Sequence, residues 1–127
     1  MSIRISPDKD QPSASIEIPL EKPLPDYDLN QLEHPTPRDV DAILVSQGFR
    51  DLVDDARGVL TELLSGTCLE LTQFTGAICP GDDETYRPGL WIVLRDKNSS
   101  NGRELSSDSR MRISATAEEL VKRLQLA

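Results

Sequence analysis

Between Phe49 and Gly66 the apolar residues recur every three or four positions, the spacing that places side chains on one face of an α-helix. Polar and charged residues occupy the positions between them. Gly66 follows this pattern, and glycine readily enters the left-handed conformation that ends many helices. The pattern predicts one amphipathic helix whose buried face is formed by Phe49, Leu52, Val53, Ala56, Val59, Leu60, Leu63 and Leu64.

A shorter helix is predicted immediately before this one. Thr36 is suited to cap it, and Pro37 suits the first helical position, where the backbone N–H has no partner within the helix. Gly48 is expected to end it, so the two helices should meet at an angle. Its apolar side is formed by Val40, Ile43 and Leu44.

Beyond Gly66 the pattern changes from helical to alternating, which is typical of half-buried strands. Residues 67–74 are predicted to form one strand, and residues 77–79 a short returning partner after a bend at Gly76. Residues 90–94 are the most apolar run and are rich in residues that favour strands. This run is therefore predicted to be the central strand.

Two short strands are predicted near the end of the chain, at residues 103–105 and 110–114, because their side chains alternate in character. Residues 116–119, with the sequence TAEE, match the capping box that begins many helices. Leu120, Val121 and Leu124 follow it. A last helix of about two turns is expected here.

The first 35 residues hold six of the nine prolines, at positions 7, 12, 19, 23, 25 and 35. Proline removes a backbone hydrogen-bond donor and fixes φ, so regular structure is not expected across most of this segment. Residues 2–6 and 15–20 are exceptions, because they alternate apolar and polar residues. Pro19 is expected to restrict the second of them to a sheet edge or to an isolated extended segment.

Together these elements predict an α+β fold. Two N-terminal helices and a short C-terminal helix pack on one face of a small, mainly antiparallel sheet centred on residues 90–95. The predicted division is an extended or partly disordered, Pro-rich N-terminal arm over residues 1–35 and a single domain over residues 36–127. A chain of 127 residues buries about two-thirds of its unfolded surface, which is enough for one core.

The formal charge of −8 at pH 7 argues against nucleic acid as a partner, because binding a phosphate chain is driven by lysine and arginine. An acidic surface instead suits a protein partner with a basic surface. No apolar run approaches the length of a membrane span, and the first residues lack the apolar region of a secretory signal. We therefore expect a cytoplasmic protein with no membrane partner.

The sequence contains no recognisable catalytic or cofactor-binding motif. Cys68 and Cys79 are too far apart in sequence for a redox CxxC pair and are expected to be buried free thiols, although on adjacent strands they could approach each other. His34, the only histidine, has no neighbouring pattern that indicates a metal ligand or a general base. The sequence thus favours a protein that is not an enzyme and needs no cofactor.

The leading functional hypothesis is an acidic protein-binding module, such as an adaptor, an assembly or secretion chaperone, or an immunity-type protein. The acidic surface and the N-terminal arm would contact the partner, because an extended segment can add as a strand to another protein. The residues predicted to make this contact are Ile16, Ile18, Leu20, Asp26, Tyr27, Asp28 and Leu29.

Two alternatives follow from the same sequence. The first is a small enzyme, metal-dependent or binding a small molecule, that uses the loop at residues 82–87, since hard cations prefer carboxylate oxygens. Asp82, Asp83 and Glu84 are its candidate metal ligands, with Tyr86 or Arg87 beside the substrate. The second is a structural subunit of a larger assembly. The oligomeric state stays open in each case.

Overall fold

The computed structural model describes residues 3–20, 36–80, 86–99 and 102–124. Four strands and three helices are formed by these residues, and the strands make one antiparallel sheet. In chain order the elements are β1 (Arg4–Pro7), β2 (Ser13–Pro19), α1 (Pro37–Leu44), α2 (Gln47–Leu64), β3 (Leu69–Pro80), β4 (Tyr86–Asp96) and α3 (Ser107–Leu124). The α+β class and the small antiparallel sheet are therefore confirmed.

The order of strands across the sheet is β1-β2-β4-β3. β4 contains the predicted central run of residues 90–94 and is an interior strand, paired with β2 on one side and with β3 on the other. Ile92, near its middle, aligns with Ile16 of β2 and Phe74 of β3. β1 and β3 are the two edges of the sheet.

The arm predicted for residues 1–35 is not confirmed, because residues 4–7 and 13–19 are strands of the sheet. Pro19 does not place β2 at an edge, since β2 lies between β1 and β4. Pro19 is the last residue of the strand, where its missing N–H interrupts no further pairing, and the next amide, from Leu20, donates to the Pro88 carbonyl at 2.9 Å. Residues 21–35 lie outside the described residues.

The two predicted helices exist, but they follow two strands and so are not N-terminal elements. Their junction also differs from the prediction, because Gly48 lies inside α2. Ser46 caps α2, and its hydroxyl accepts a hydrogen bond from the Phe49 amide at 3.3 Å. Serine is a preferred N-cap residue, so the boundary between the two helices is set by Ser46 and not by Gly48. Gly66 has a φ of +77°, the left-handed conformation predicted for it.

β3 is one strand of 12 residues, so the predicted bend at Gly76 is wrong. Gly76 stays in the strand because α2 approaches closely there. A Cβ added at Gly76 would overlap the Phe49 ring and would lie 3.2 Å from Val53 Cγ2. Glycine thus marks a close approach between helix and strand rather than a turn. The irregularity in β3 is a shift of register between Leu71 and Gln73, which leaves Thr72 as a bulge.

α3 runs from Ser107 to Leu124, so the strand predicted at residues 110–114 and the helix start predicted at residue 116 are both wrong. Ser106 provides the actual start, because its hydroxyl accepts from the Ser109 amide at 3.2 Å. Thr116 lies inside the helix, and its hydroxyl donates to the Arg112 carbonyl at 2.7 Å. The helical spacing in fact extends further back, through the buried residues Ser109, Ile113, Ala117, Leu120 and Val121.

Helices and sheet share one hydrophobic core. Gly76 faces α2, so the alternate residues of each strand that share its side of the sheet point towards the helices. Ile16, Ile18 and Leu20 belong to this core and are between 0% and 3% exposed. The other fully buried large apolar side chains are Ile43, Phe49, Leu60, Leu90, Ile92, Leu94, Ile113, Leu120 and Val121.

Candidate functional site

The edge strand β3 is the most unusual surface of the described fold. It is 12 residues long and, among the described residues, pairs with β4 alone. An edge strand presents a row of backbone N–H and C=O groups that can pair with another chain. Soluble proteins usually protect such edges with charges, prolines, bulges or short strands. A long edge is therefore a candidate binding surface.

Among the described residues, the features that protect β3 are confined to its two ends. The bulge at Thr72 interrupts the start of the strand, and Pro80 ends it. The only charged residue of the strand is Glu70, which lies before the bulge and pairs with Arg95 of β4 at 3.0 Å. Residues 73–79 therefore form a regular stretch with no charge, no proline and no bulge.

An open cavity of about 390 Å³ lies beside this stretch, between α1, α2 and β3. Its lining includes Thr75 and Gly76 of β3 and the Phe49 ring, so the cavity reaches the middle of the regular stretch. Leu44 and Val53, both half-buried, complete its apolar wall. An apolar side chain entering from the edge would find contacts on several sides.

A second open cavity, of about 470 Å³, lies further along the same edge. Ile78 of β3 forms its floor together with Tyr86 of β4, and α1 supplies Val40 and Pro37. Tyr86 is 38% exposed, one of the few large apolar side chains that are exposed among the described residues. The two cavities flank α1, so the β3 edge is accompanied by an apolar groove over much of its length.

Charged side chains stand on the α2 side of this groove. Arg50 and Asp54 border the first cavity and lie one helical turn apart. Arg57, one further turn along, places its guanidinium carbon 5.3 Å from the centroid of the Phe74 ring, in the geometry of a cation–π contact. The groove therefore combines an apolar floor with one rim that carries both signs of charge.

A polar junction at the opposite end of β4 is the only other cluster of chemically active side chains that we find among the described residues. Asp96 ends β4, and its carboxylate accepts a hydrogen bond from the Ser109 hydroxyl of α3 at 2.7 Å and from the Asn98 amide at 2.9 Å. Arg112 of α3 donates to the Cys68 sulfur at 3.6 Å. Cys68 lies just before β3, so the junction joins two strands to the start of α3.

The electrostatics of this junction indicate a structural role. The Ser109 hydroxyl lowers the pKa of Asp96, helped by the Asn98 amide, the Cys68 thiol and the Arg112 charge. Ser109 is only 4% exposed and is occupied by its bonds to Asp96 and Ser106. A low carboxyl pKa holds the hydrogen-bond acceptor in its charged form but does not suit a general base at neutral pH. The junction fixes the start of α3 against β4.

The two cysteines do not pair with each other. Both are free; Cys79 is buried and Cys68 is half-buried. They lie 11 positions apart along one nearly continuous strand, about 35 Å at about 3.3 Å per residue, whereas a disulfide requires Cα atoms within about 7 Å. The two cysteines are free, as predicted, and the arrangement on adjacent strands that would have brought them together is not present. Burial raises the pKa of Cys79 to about 12, so its thiol is protonated and unreactive at neutral pH.

The structure separates the predicted partner-binding residues into two groups. Ile16, Ile18 and Leu20 are core residues and are not available to a partner in this fold. Asp26, Tyr27, Asp28 and Leu29 lie outside the described residues, so their predicted role stays a prediction.

The predicted metal ligands Asp82, Asp83 and Glu84 also lie outside the described residues. Tyr86 and Arg87, proposed to stand beside a substrate, begin β4, and Tyr86 lines the second cavity of the β3 groove. Within the described ranges no three His, Cys, Asp or Glu side chains come close enough together to hold a metal ion. The part of the enzyme hypothesis that rests on this loop stays a prediction.

Sequence reasoning missed the β3 edge because it divided the strand at Gly76. The signal was present as a run of nine uncharged residues from Leu71 to Cys79, unusual in a chain of which 28% is charged. The sequence could not show that this run lies at an edge of the sheet, because that depends on which strands pair with β4. The junction at Asp96 was missed because residues 110–114 were interpreted as a strand.

Comparison of the chain with protein-family models, with curated proteins and with solved structures finds no match. In the described part of the chain, no helix has both the length and the apolar character that crossing a bilayer requires.

Proposed function

We propose that this protein is a non-enzymatic protein-binding module that joins another polypeptide along the β3 edge. The observation that supports the proposal is the regular, uncharged stretch of residues 73–79 at the edge of the sheet, with an apolar groove beside it. In strand addition, backbone hydrogen bonds provide affinity and pockets for alternate side chains provide specificity. This edge offers both features.

The binding mode reverses the one predicted from the sequence. The sequence predicted that the N-terminal segment adds as a strand to the sheet of a partner. Ile16 and Ile18 are committed to the core, so this protein instead supplies the sheet, and the partner supplies the extended segment. The partner's apolar side chains would occupy the two cavities, and polar groups would meet Arg50 and Asp54 on the rim.

An adaptor, a chaperone for secretion or assembly, and a subunit of a larger assembly all bind in this way. The edge does not favour an enzyme, because the described residues beside it include no nucleophile with an adjacent base. Where the partner is a different protein, the acidic character of the chain, −8 overall, favours one that carries basic residues outside the bound segment.

A double variant, Gln73→Lys with Thr75→Lys, tests the proposal. Both residues are exposed and lie on the sheet face opposite the core, so the fold should tolerate lysine there. Two positive charges on the edge strand are the protection that natural edges use. The matched control, Ser6→Lys with Gln11→Lys, adds the same charge at exposed positions near the opposite edge.

The readout is affinity capture of partners from host lysate, followed by hydrogen exchange of the captured complex. We expect the edge variant to lose the partner, the control to keep it, and amides of residues 73–79 to gain protection in the complex. Equal capture by both variants, with protection gained elsewhere, would show that the β3 edge is not the binding surface.

A further inference from the structure

We propose that the β3 edge binds a second copy of this chain, forming a two-fold symmetric dimer with a continuous eight-stranded sheet. This inference rests on the proposed function, because it names the polypeptide that occupies the edge. Most oligomers of soluble proteins are symmetric, and a two-fold dimer requires a surface that is complementary to itself. Register, side-chain pairing and charge each meet that requirement here.

Charge limits where two copies can meet. Each chain carries −8, so an arbitrary contact between copies brings like charges together. The stretch of residues 73–79 has no charge, and the nearest charged residue of the strand, Glu70, lies before the bulge. The β3 edge is therefore a surface on which the backbones of two acidic copies can approach without direct repulsion.

The limits of the regular stretch set the register. It begins after the bulge at Thr72 and ends before Pro80, so its midpoint is Gly76. An antiparallel two-fold axis through Gly76 aligns all seven residues of one copy with the same seven of the other. Because Gly76 carries no side chain, no side chain of β3 lies at the axis on the helix side of the sheet.

Side chains that become neighbours in this register are compatible. On the helix side of the sheet, Phe74 of each copy lies opposite Ile78 of the other, and both are half-buried in the single chain. Pairs of an aromatic and a β-branched residue are among the favourable cross-strand contacts. On the other side Thr75 lies opposite Ala77, an uncharged pair. The dimer thus covers the apolar part of the edge that one chain leaves exposed.

Charges on α2 become complementary about the same axis. Gly76 faces Phe49 and Val53 of α2, and Arg50 and Asp54 of the same helix border the cavity that Gly76 lines. The two α2 helices run antiparallel across the axis. Arg50 of each copy then faces Asp54 of the other, which gives two opposite-charge pairs at the interface.

A charge-exchange experiment tests this arrangement through the variants Arg50→Glu and Asp54→Arg. Each single variant brings like charges together across the axis, so we expect its dimer to dissociate at a concentration about tenfold or more above that of the wild type. An equimolar mixture of the two variants restores both opposite-charge pairs and should form the mixed dimer. Intrachain contacts do not change on mixing, so recovery reports the interface alone.

Glu118→Arg and Lys122→Glu on α3 are the matched controls. They have the same i,i+4 spacing, the same charge changes and exposed positions, but they lie away from the β3 edge. Sedimentation equilibrium and native mass spectrometry over a range of concentrations give the readout. We expect both control variants to dimerise like the wild type and their mixture to show no preference for the mixed dimer.

The outcomes distinguish this inference from the function on which it rests. A wild-type chain that stays monomeric at all concentrations overturns the dimer, whereas the proposed function stands if Gln73→Lys with Thr75→Lys still abolishes capture of another protein. A dimer that is unaffected by that double variant and by the charge exchanges overturns this inference, and the proposed function is then decided by the capture experiment alone.

Discussion

The two edges of the sheet differ in nearly every feature that controls strand pairing. β1 has four residues, of which Arg4 is charged and Pro7 lacks a backbone donor, and three of the four are exposed. β3 has 12 residues and seven consecutive positions without charge, proline or bulge. Within the described residues, the β1 edge is protected in the manner usual for sheet edges, and the middle of the β3 edge is not.

The difference shows where this small α+β fold leaves a long strand whose edge is suited to pairing with another chain. Both edges close the same sheet, so stability alone does not explain why one is short and charged while the other is long and neutral. Cavities add to the contrast, because the two we describe beside the sheet both lie along β3. The β1 edge ends the sheet, whereas the β3 edge is suited to extend it.

The comparison depends on β2 being an interior strand, and Ile16→Asp is the strongest test of that position. Ile16 is 1% exposed, so an unpaired carboxylate there should cost several kcal/mol, against a total stability of about 5–15 kcal/mol, and abolish the cooperative thermal transition. Ile5→Asp is the control, because Ile5 pairs with Ile16 but is half-buried on β1. Thermal melts followed by circular dichroism should show a cooperative transition at a lower temperature for Ile5→Asp and no cooperative transition for Ile16→Asp. Equal melts for the two variants would mean that residues 13–19 are not part of the core.

The fold prediction was most accurate where it rested on clear periodicity or on a long apolar run. α2 is 18 residues long, enough for the period of its apolar face to be unambiguous, and the apolar run of residues 90–94 indicated an interior strand. Residues 15–20 were recognised as strand-like, but the interior position of β2 was missed because the prolines of the first 35 residues were weighed above this alternation of apolar and polar residues. Three of those prolines, at positions 7, 12 and 19, lie at the ends of strands or in the loop between them, where no donor is required.

The candidate site was less predictable than the fold, and for a different reason. Whether a strand lies at an edge is a property of the whole sheet, set by contacts such as the one between Gly76 and Phe49 that are distant in sequence. Local propensity contains no such information. The uncharged run of residues 71–79 was visible, but its meaning depended on the position of β3.

Gly76→Ala should have the next largest effect on stability, because α2 lies so close to β3 at Gly76 that an added side chain has no space. The added Cβ would overlap the Phe49 ring, and we expect a loss of about 1–3 kcal/mol in the free energy of unfolding. Gly58→Ala is the control at an exposed position of α2, where nothing lies within 4 Å of a new Cβ. Its free energy of unfolding should rise by about 0.5–1 kcal/mol. Urea denaturation measures both; a stabilised Gly76→Ala would mean that α2 stands further from β3.

A smaller effect is expected at the polar junction, which attaches α3 to β4 away from either edge. Ser109→Ala removes the hydroxyl that donates to Asp96 at 2.7 Å, and should cost about 1–2 kcal/mol at neutral pH, because the half-exposed carboxylate regains water. Binding at the β3 edge should not change.

The same variant has a predicted pH dependence. The folded pKa of Asp96 is lowered from its ordinary value of 3.8, so this contribution to stability is present above about pH 4 and is lost as the pH falls through the lower folded pKa. The difference in unfolding free energy between wild type and Ser109→Ala should therefore be constant near neutrality and shrink in acid. A difference that grows in acid would contradict the charged state of Asp96.

The smallest effect is expected at the protected edge itself. Arg4→Thr removes the only charge of β1 at an exposed position, and the free energy of unfolding should change by less than about 0.5 kcal/mol. Four residues and Pro7 still limit pairing there, so sedimentation should detect no additional association. Thr75→Lys is its counterpart at the other edge: it adds one charge to β3 and should weaken association. If Arg4→Thr promoted assembly, the charge of Arg4 alone would be what protects β1. The two edges would then differ in protection because of charge, and not because of strand length or proline content.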